Sequence, residues 1–530
     1  DAAYGMKDQQ RNTLLYILSI ILLFPALLIN LGLMTFIDDE GIRTLVALEM
    51  KLSGNYITPT LHGDFYYNKP PLYNWILLFY FNLLGQINEF TARIPTLLSL
   101  CAFAATVFYF FRKHYGNYTA FVLALSLITC GRVLFWDSLL ALIDITFSWL
   151  VFVQFMVIYH HFQRRNWWLL FALSYLCTGL GFMLKGLPAI VFQGFTLLAY
   201  FIYQKEFRRL FSWQHILGGL VFVAIVGTYY LVYVQYNGLD TVFQTLFTES
   251  SKRTAVQFGW WKTFLHLFTF PLEMVYHFLP WSIMVVYLLR KDLWRILQAD
   301  PFMAFCALCF MANILVYWSS VEVYPRYLLM FCPLLFGIFL QLHQGNGEQG
   351  RWSSKLVNGF LALVCVLLLL GSVLPLFLPQ TQNAPYLYLK TGFLFLACLG
   401  LSALYWKWKP QRLLILAMLL LLGRVGFNWF VLPDRNANDY GNECRISSIE
   451  AGQRFRDQDL YVYKKTPMQW TNSIYLTNTR GKIIPIKKTN LDTSALYIVD
   501  PKMYTVIVDS VAELKVRHGK RHFIIGKVQR

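Results

Sequence analysis

The stretch "FIDDEGIRT" sets three carboxylates, Asp38, Asp39 and Glu40, directly behind the first long apolar run, and "YYNKPPLYNW" brings Tyr66 and Lys69 a short way on. Further along, isolated charges interrupt or border apolar runs. They are Asp137 in "LFWDSLL", Asp144 in "LIDITF", Lys185 in "FMLKGLP", Lys252 and Arg253 in "ESSKRTA", and Arg326 in "VYPRYLL". Carboxylates can take up protons, and lysine or arginine can hold an anion. Charges near membrane depth are expensive and usually face a cavity or one another, so together these residues form the default candidate site. Each also has a plainer reading. Asp39 and Glu40 fit a solvated helix terminus, Asp144 fits the N-cap of the run behind it with Asp137 competing for that role, and Lys185 and Arg326 fit snorkelling interfacial residues.

The elements that must position them are membrane helices. Of the 530 residues, 57% are hydrophobic and only 14% charged, far from the balance of a soluble domain. The apolar runs are continuous and rich in Leu and Phe, without the alternation of barrel strands, so helices are expected to satisfy the backbone in lipid. About 13 transmembrane helices are expected, including spans near 13–35, 93–111, 118–136, 187–203 and 274–289. The first run carries no small-residue cleavage site and is long enough to cross, so it reads as a signal anchor, and the leading "DAAYGM" as an extension ahead of Met6. Lysine and arginine cluster in alternate short loops, for example Arg112 with Lys113 and Arg164 with Arg165, which places those loops in the cytoplasm. The candidate residues then fall on or near the opposite, outer face. Treating 71–85 as a span would put Arg112 and Lys113 outside, so that segment is expected to lie in the interface.

The expected organisation is a transmembrane domain over 1–433, with a first external loop at 36–92, followed by a small extracytoplasmic α/β domain over 434–530. In this tail "DLYVYKK", "GKIIPIKK", "SALYIVD" and "RHFIIGKV" read as strands and 444–457 as a helix. The net charge of +18 sits mostly in the short loops, which argues against a nucleic-acid partner. Eight of the nine cysteines lie in apolar runs, so no disulfide framework is expected, and Cys306 and Cys309 read as small apolar residues one helical turn apart. His62, His160 and His161 lack metal-ligand spacing.

The opening loop, with "SGNYITP" and "GDFYYNKPPLYNW", resembles that of bacterial polyprenyl-phosphate-dependent membrane glycosyltransferases of the GT-C superfamily. It is similar to aminoarabinose (lipid A) transferases and to bacterial protein O-mannosyltransferases. The likeness recurs in order in "EFTARIPTLLSL", "LGFMLKGLPAIVF", "HFLPW" and "VEVYPRYLLMFCPLL". This resemblance implies a transferase that takes a sugar from an undecaprenyl-phosphate donor at the outer face of the bacterial inner membrane. The site and tail would then face the periplasm, and the acceptor would be an envelope glycolipid, glycan or protein.

By position, Asp39 matches the acid that activates the acceptor, Tyr66 and Lys69 match residues lining the donor phosphate, and Tyr327 matches a donor-facing tyrosine. Asp144 matches the acid of the second external loop, with Asp137 as substitute. Glu40 or Asp144 would orient the acceptor, and Lys69, Lys185, Lys252, Arg253 and Arg326 would serve the donor phosphate. Aminoarabinose-type relatives hold a divalent metal through an acid and a histidine at positions that are Asn68 and Ser250 here, so no cofactor is expected. Ile42 stands where they have arginine, with Arg43 next door. Two other classes compete: a flippase or transporter of lipid-linked sugars, and a non-catalytic glycan-binding protein. The first would show paired repeats and polar groups near the midplane; the second would not need Asp39, Lys69 and Asp144 together.

Overall fold

The turn that follows the first membrane helix is the hinge on which the site hangs. The computed structural model describes residues 2–37, 39–251, 259–346, 351–505 and 508–528. Its first helix, Ala2–Leu28, runs into a bend that ends at the helix Glu40–Ser53. The Arg93 guanidinium fills this bend. It donates to the carbonyls of Leu31 (2.8 Å), Met34 (3.0 Å) and Thr35 (3.1 Å), and through Nε and Nη2 to both oxygens of Glu40 at 2.8 and 3.0 Å. Carbonyls past a helix end lack partners, and a buried guanidinium with five donors supplies them.

Ten described helices are long and apolar enough to cross a membrane. Three differences separate that number from the thirteen spans expected. The runs at 93–111 and 118–136 form one helical stretch, Glu89–Thr129, broken at Gly116, whose φ of 80° suits glycine alone. Pro188–Tyr203 has 16 residues, short for a span. The run at 274–289 divides between the end of the helix Trp260–His277 and a 3-10 segment, Trp281–Leu289, because Pro280 lies between them. Leu72–Leu84, at 13 residues, is also too short to cross.

In the tail, five strands form a sheet of order β4-β3-β5-β7-β6, with β3 Leu460–Tyr463, β4 Ile486–Lys487, β5 Leu496–Val499, β6 Val508–Val516 and β7 Arg521–Val528. β3 is parallel to β4 and β5, and β7 runs antiparallel to β5 and β6. One face of the sheet packs Leu460, Val462, Ile498, Phe523 and Ile525 against Ala451 and Phe455 near one helix and Leu476 on the helix Trp470–Arg480. The strand β6 and the helix Trp470–Arg480 were not expected from the sequence.

That helix also seats Glu40–Ser53. A Cβ on Gly41 would come within 2.7 Å of Trp470 Cβ and 3.0 Å of its carbonyl carbon, so only glycine permits this approach. The Thr471 hydroxyl donates to the Phe36 carbonyl at 3.0 Å, the Tyr475 hydroxyl accepts from Phe36 N at 3.3 Å, and Tyr475 is hydrogen-bonded to Glu89.

A hairpin of β1 Thr60–Leu61 and β2 Asp64–Phe65 completes the seam between the first loop and the tail. At its tip buried Glu49 accepts from Thr60 Oγ1 (2.6 Å), His62 N (2.6 Å) and Gly63 N (3.2 Å). The His62 ring bridges to the tail, with Nδ1 donating to the Ile484 carbonyl and Nε2 facing the Ser473 hydroxyl, both at 2.8 Å. Burial holds the His62 ring below its ordinary pKa, against the Ile484 hydrogen bond and nearby Asp64. The unfolded chain therefore binds a proton that the folded ring refuses, and stability falls as pH drops below about 6.5 toward the lowered value. Burial raises the Glu49 carboxyl, which acts in the opposite sense at lower pH. We predict that thermal unfolding between about pH 7.5 and about pH 5.5 shows a fall in midpoint that is smaller in His62→Gln. An equal fall in both proteins would refute it.

Candidate active site

Asp39 is the N-cap residue of Glu40–Ser53, but its side chain makes no capping hydrogen bond. It lies instead on the wall of a cavity of about 750 Å³. The same cavity is lined by Arg43, Tyr66, Asn68, Lys69, Asp144, Lys185, Glu249, Tyr317, Ser320, Arg326 and Tyr327. This volume lies within the usual range for a small-molecule site.

The walls come from separate parts of the chain. Glu40–Ser53 presents Arg43 one turn after Asp39; its Nη1 donates to the Tyr66 hydroxyl at 2.8 Å. Burial opposes the Arg43 charge, but Asp39 and Tyr66, the latter as a hydrogen-bond acceptor, outweigh it and hold the guanidinium above its ordinary range. Burial likewise raises the Tyr66 phenol, against the pull of Arg43, so it stays a neutral hydroxyl. Ile42 and Arg43 both line the cavity.

Asp144, in the first turn of Ile143–Gln163, lines the same cavity. Its Oδ1 accepts from Lys185 Nζ at 2.6 Å, and its Oδ2 lies 3.2 Å from Arg326 Nε. Lys185 ends the helix Trp167–Lys185 and lies 3.9 Å from the centre of the Tyr327 ring; the Arg326 guanidinium lies 4.5 Å from the Tyr324 ring centre. Among the described residues one carboxylate meets two cations, and burial makes these charges count more than they would in water. The arrangement suits an anion.

Two predicted acids lie elsewhere. Glu40 is fully buried, saturated by Arg93 and by the amides of Ile37 (2.9 Å) and Ala141 (2.7 Å), so it holds the scaffold rather than facing the cavity. Asp137 is buried beside Arg132, with Nε 3.2 Å from Oδ1, and does not line the cavity. Lys252 and Arg253 lie outside the described residues, as do Asp38 and the Ser250 side chain. Glu249, which the sequence reading did not single out, is on the cavity wall. Among the described residues, no three His, Cys, Asp or Glu side chains cluster as metal ligands.

Residues 68–233 match the family model for dolichyl-phosphate-mannose-protein mannosyltransferases. Over 435 residues the chain is 26% identical to an undecaprenyl phosphate-alpha-4-amino-4-deoxy-L-arabinose arabinosyl transferase of Erwinia tasmaniensis, covering 78% of this chain and 75% of that one. The chain is a membrane glycosyltransferase. This transferase is also 24% identical, over 66% of its length and 59% of the relative's, to a second such enzyme from Pseudomonas fluorescens. Its fold is that of ArnT from Cupriavidus metallidurans, whose crystal structure bound to undecaprenyl phosphate superposes with a TM-score of 0.67 at 17% identity, over 97% of each chain.

Proposed function

We propose that this transferase moves a sugar from an undecaprenyl-phosphate carrier to a hydroxyl or phosphate of an envelope glycolipid, glycan or protein. The reaction takes place at the outer face of the bacterial inner membrane, where the cavity and the tail face the periplasm. The observation that carries this reading is the cavity itself, lined by both Asp39 and the Asp144–Lys185–Arg326 group. For a hydroxyl acceptor, Asp39 takes the proton as the oxygen bonds to the anomeric carbon. The bond from that carbon to the phosphate oxygen breaks, and polyprenyl phosphate leaves with the electron pair. Lys69, Lys185 and Arg326 stabilise the charge that gathers there, while Asp144 holds the last two in place. A single base at the acceptor favours direct displacement with inversion. The crystal structure of ArnT from Cupriavidus metallidurans bound to undecaprenyl phosphate supports the choice of carrier.

The test is transfer by the purified protein from a panel of undecaprenyl-phosphate sugars to envelope extracts, with and without chelator. Label appearing in acceptor material, unchanged by chelator, supports the reading. Donor crossing the bilayer of proteoliposomes without label in any acceptor would replace it with the flippase. Lys185→Met is expected to weaken donor use by about tenfold or more, because it removes a cation and leaves Asp144 with one partner; unaltered donor KM and kcat would remove Lys185 from the phosphate site.

A further inference from the structure

Arg424 is fully buried inside a membrane helix, Arg412–Gly426, and among the described residues no carboxylate pairs with it. A guanidinium placed there is costly unless its donors are used. Nε donates to Asn428 Oδ1 at 2.7 Å, and Nη1 to the Ser138 hydroxyl at 2.7 Å and to the Leu134 carbonyl. Asn428 sits where the helix widens into a π-turn, Phe427–Val431, and its amide donates to the carbonyls of Ala26 (2.8 Å) and Pro25 (3.3 Å). Asn30 returns a hydrogen bond to the Asn428 carbonyl at 2.8 Å. One node therefore grips two chain segments. Ala26–Asn30 leads through the Arg93 bend to Asp39. Leu134–Ser138 leads through Ala141, which donates to Glu40, to Asp144.

We propose that Arg424, with Asn428, is a positioning pair that fixes the spacing between Asp39 and the Asp144 group in the cavity. The inference rests on the reading of those two groups as parts of one transfer site. Arginine is suited to it because its planar fork serves Asn428 and the Leu134–Ser138 segment at set angles, which a flexible ammonium does less well. Misplacing a reacting group by about 1 Å costs catalysis on the order of 10²-fold.

The experiment compares wild type, Arg424→Met, Arg424→Lys and Asn428→Ala, purified in detergent. Hydrogen exchange is read over residues 131–142 and 26–37, beside sugar transfer. Arg424→Met is expected to speed exchange in those two segments and not in the tail sheet, and to lower kcat by about 10- to 100-fold with a much smaller rise in donor KM. Arg424→Lys recovers part of both effects. Asn428→Ala, which spares the guanidinium, gives the smaller version and serves if Arg424→Met does not fold. Unchanged exchange in the two segments, or equal losses in kcat and in donor affinity, would overturn the proposal. If wild type transfers nothing, the exchange result still decides the node, and the failure belongs to the proposed reaction.

Discussion

Asp39→Asn is expected to lower kcat by about 10²- to 10⁴-fold while leaving the donor KM within a small factor. Asparagine keeps the shape and the hydrogen-bonding reach of the side chain but cannot accept the acceptor's proton. Asp39 makes no capping bond, so the helix Glu40–Ser53 loses little when its charge goes. The donor wall, Asp144 with Lys185 and Arg326, is untouched by the change. Steady-state transfer by folded, detergent-purified protein reads the result. A loss confined to donor KM would assign Asp39 to the carrier instead of the acceptor. Full activity would remove it as base and leave Glu249 as the remaining acid, among the described residues, on the cavity wall outside the Asp144 clamp.

The second large effect is on the scaffold. Arg93→Met is expected to destabilise the protein by about 3–5 kcal/mol. Both ions are almost wholly buried, with side-chain exposures of 1% for Arg93 and 0% for Glu40. Methionine would strand the Glu40 carboxylate with only two amides, and would free three carbonyls of the bend behind Asp39. Glu40→Gln in the same chain should recover part of the loss, because a neutral amide costs less to bury than an unpaired carboxylate. Unfolding midpoints of the two single variants and the double variant measure the coupling. Additive losses would mean that the ion pair itself carries no net interaction.

The two results separate neighbours in sequence. Asp39 and Glu40 are adjacent, yet one faces the cavity and the other the core, because successive side chains at a helix start diverge by about 100°. A motif of two acids shows that chemistry or a helix terminus is near. It does not show which acid turns toward which wall.

The sequence by itself determined the membrane class, the helical solution to backbone hydrogen bonding, and the strands β3, β4, β5 and β7 of the tail. Each follows from local hydropathy and period, which short windows of residues contain. It also singled out Asp39, Tyr66, Lys69, Asp144, Lys185, Arg326 and Tyr327, which the fold gathers on one cavity, because a charge or a polar ring bordering an apolar run is conspicuous wherever it stands. Only the tertiary structure decided the pairings. Glu40 went to Arg93, Asp137 to Arg132, and Asp144 to Lys185 and Arg326. It alone moved Arg43 and Glu249 onto the cavity wall, and it alone broke the run at 274–289. The physical reason is the same in each case. The partner of a buried charge is set by long-range packing, and nothing within one turn of the residue encodes which distant helix supplies it.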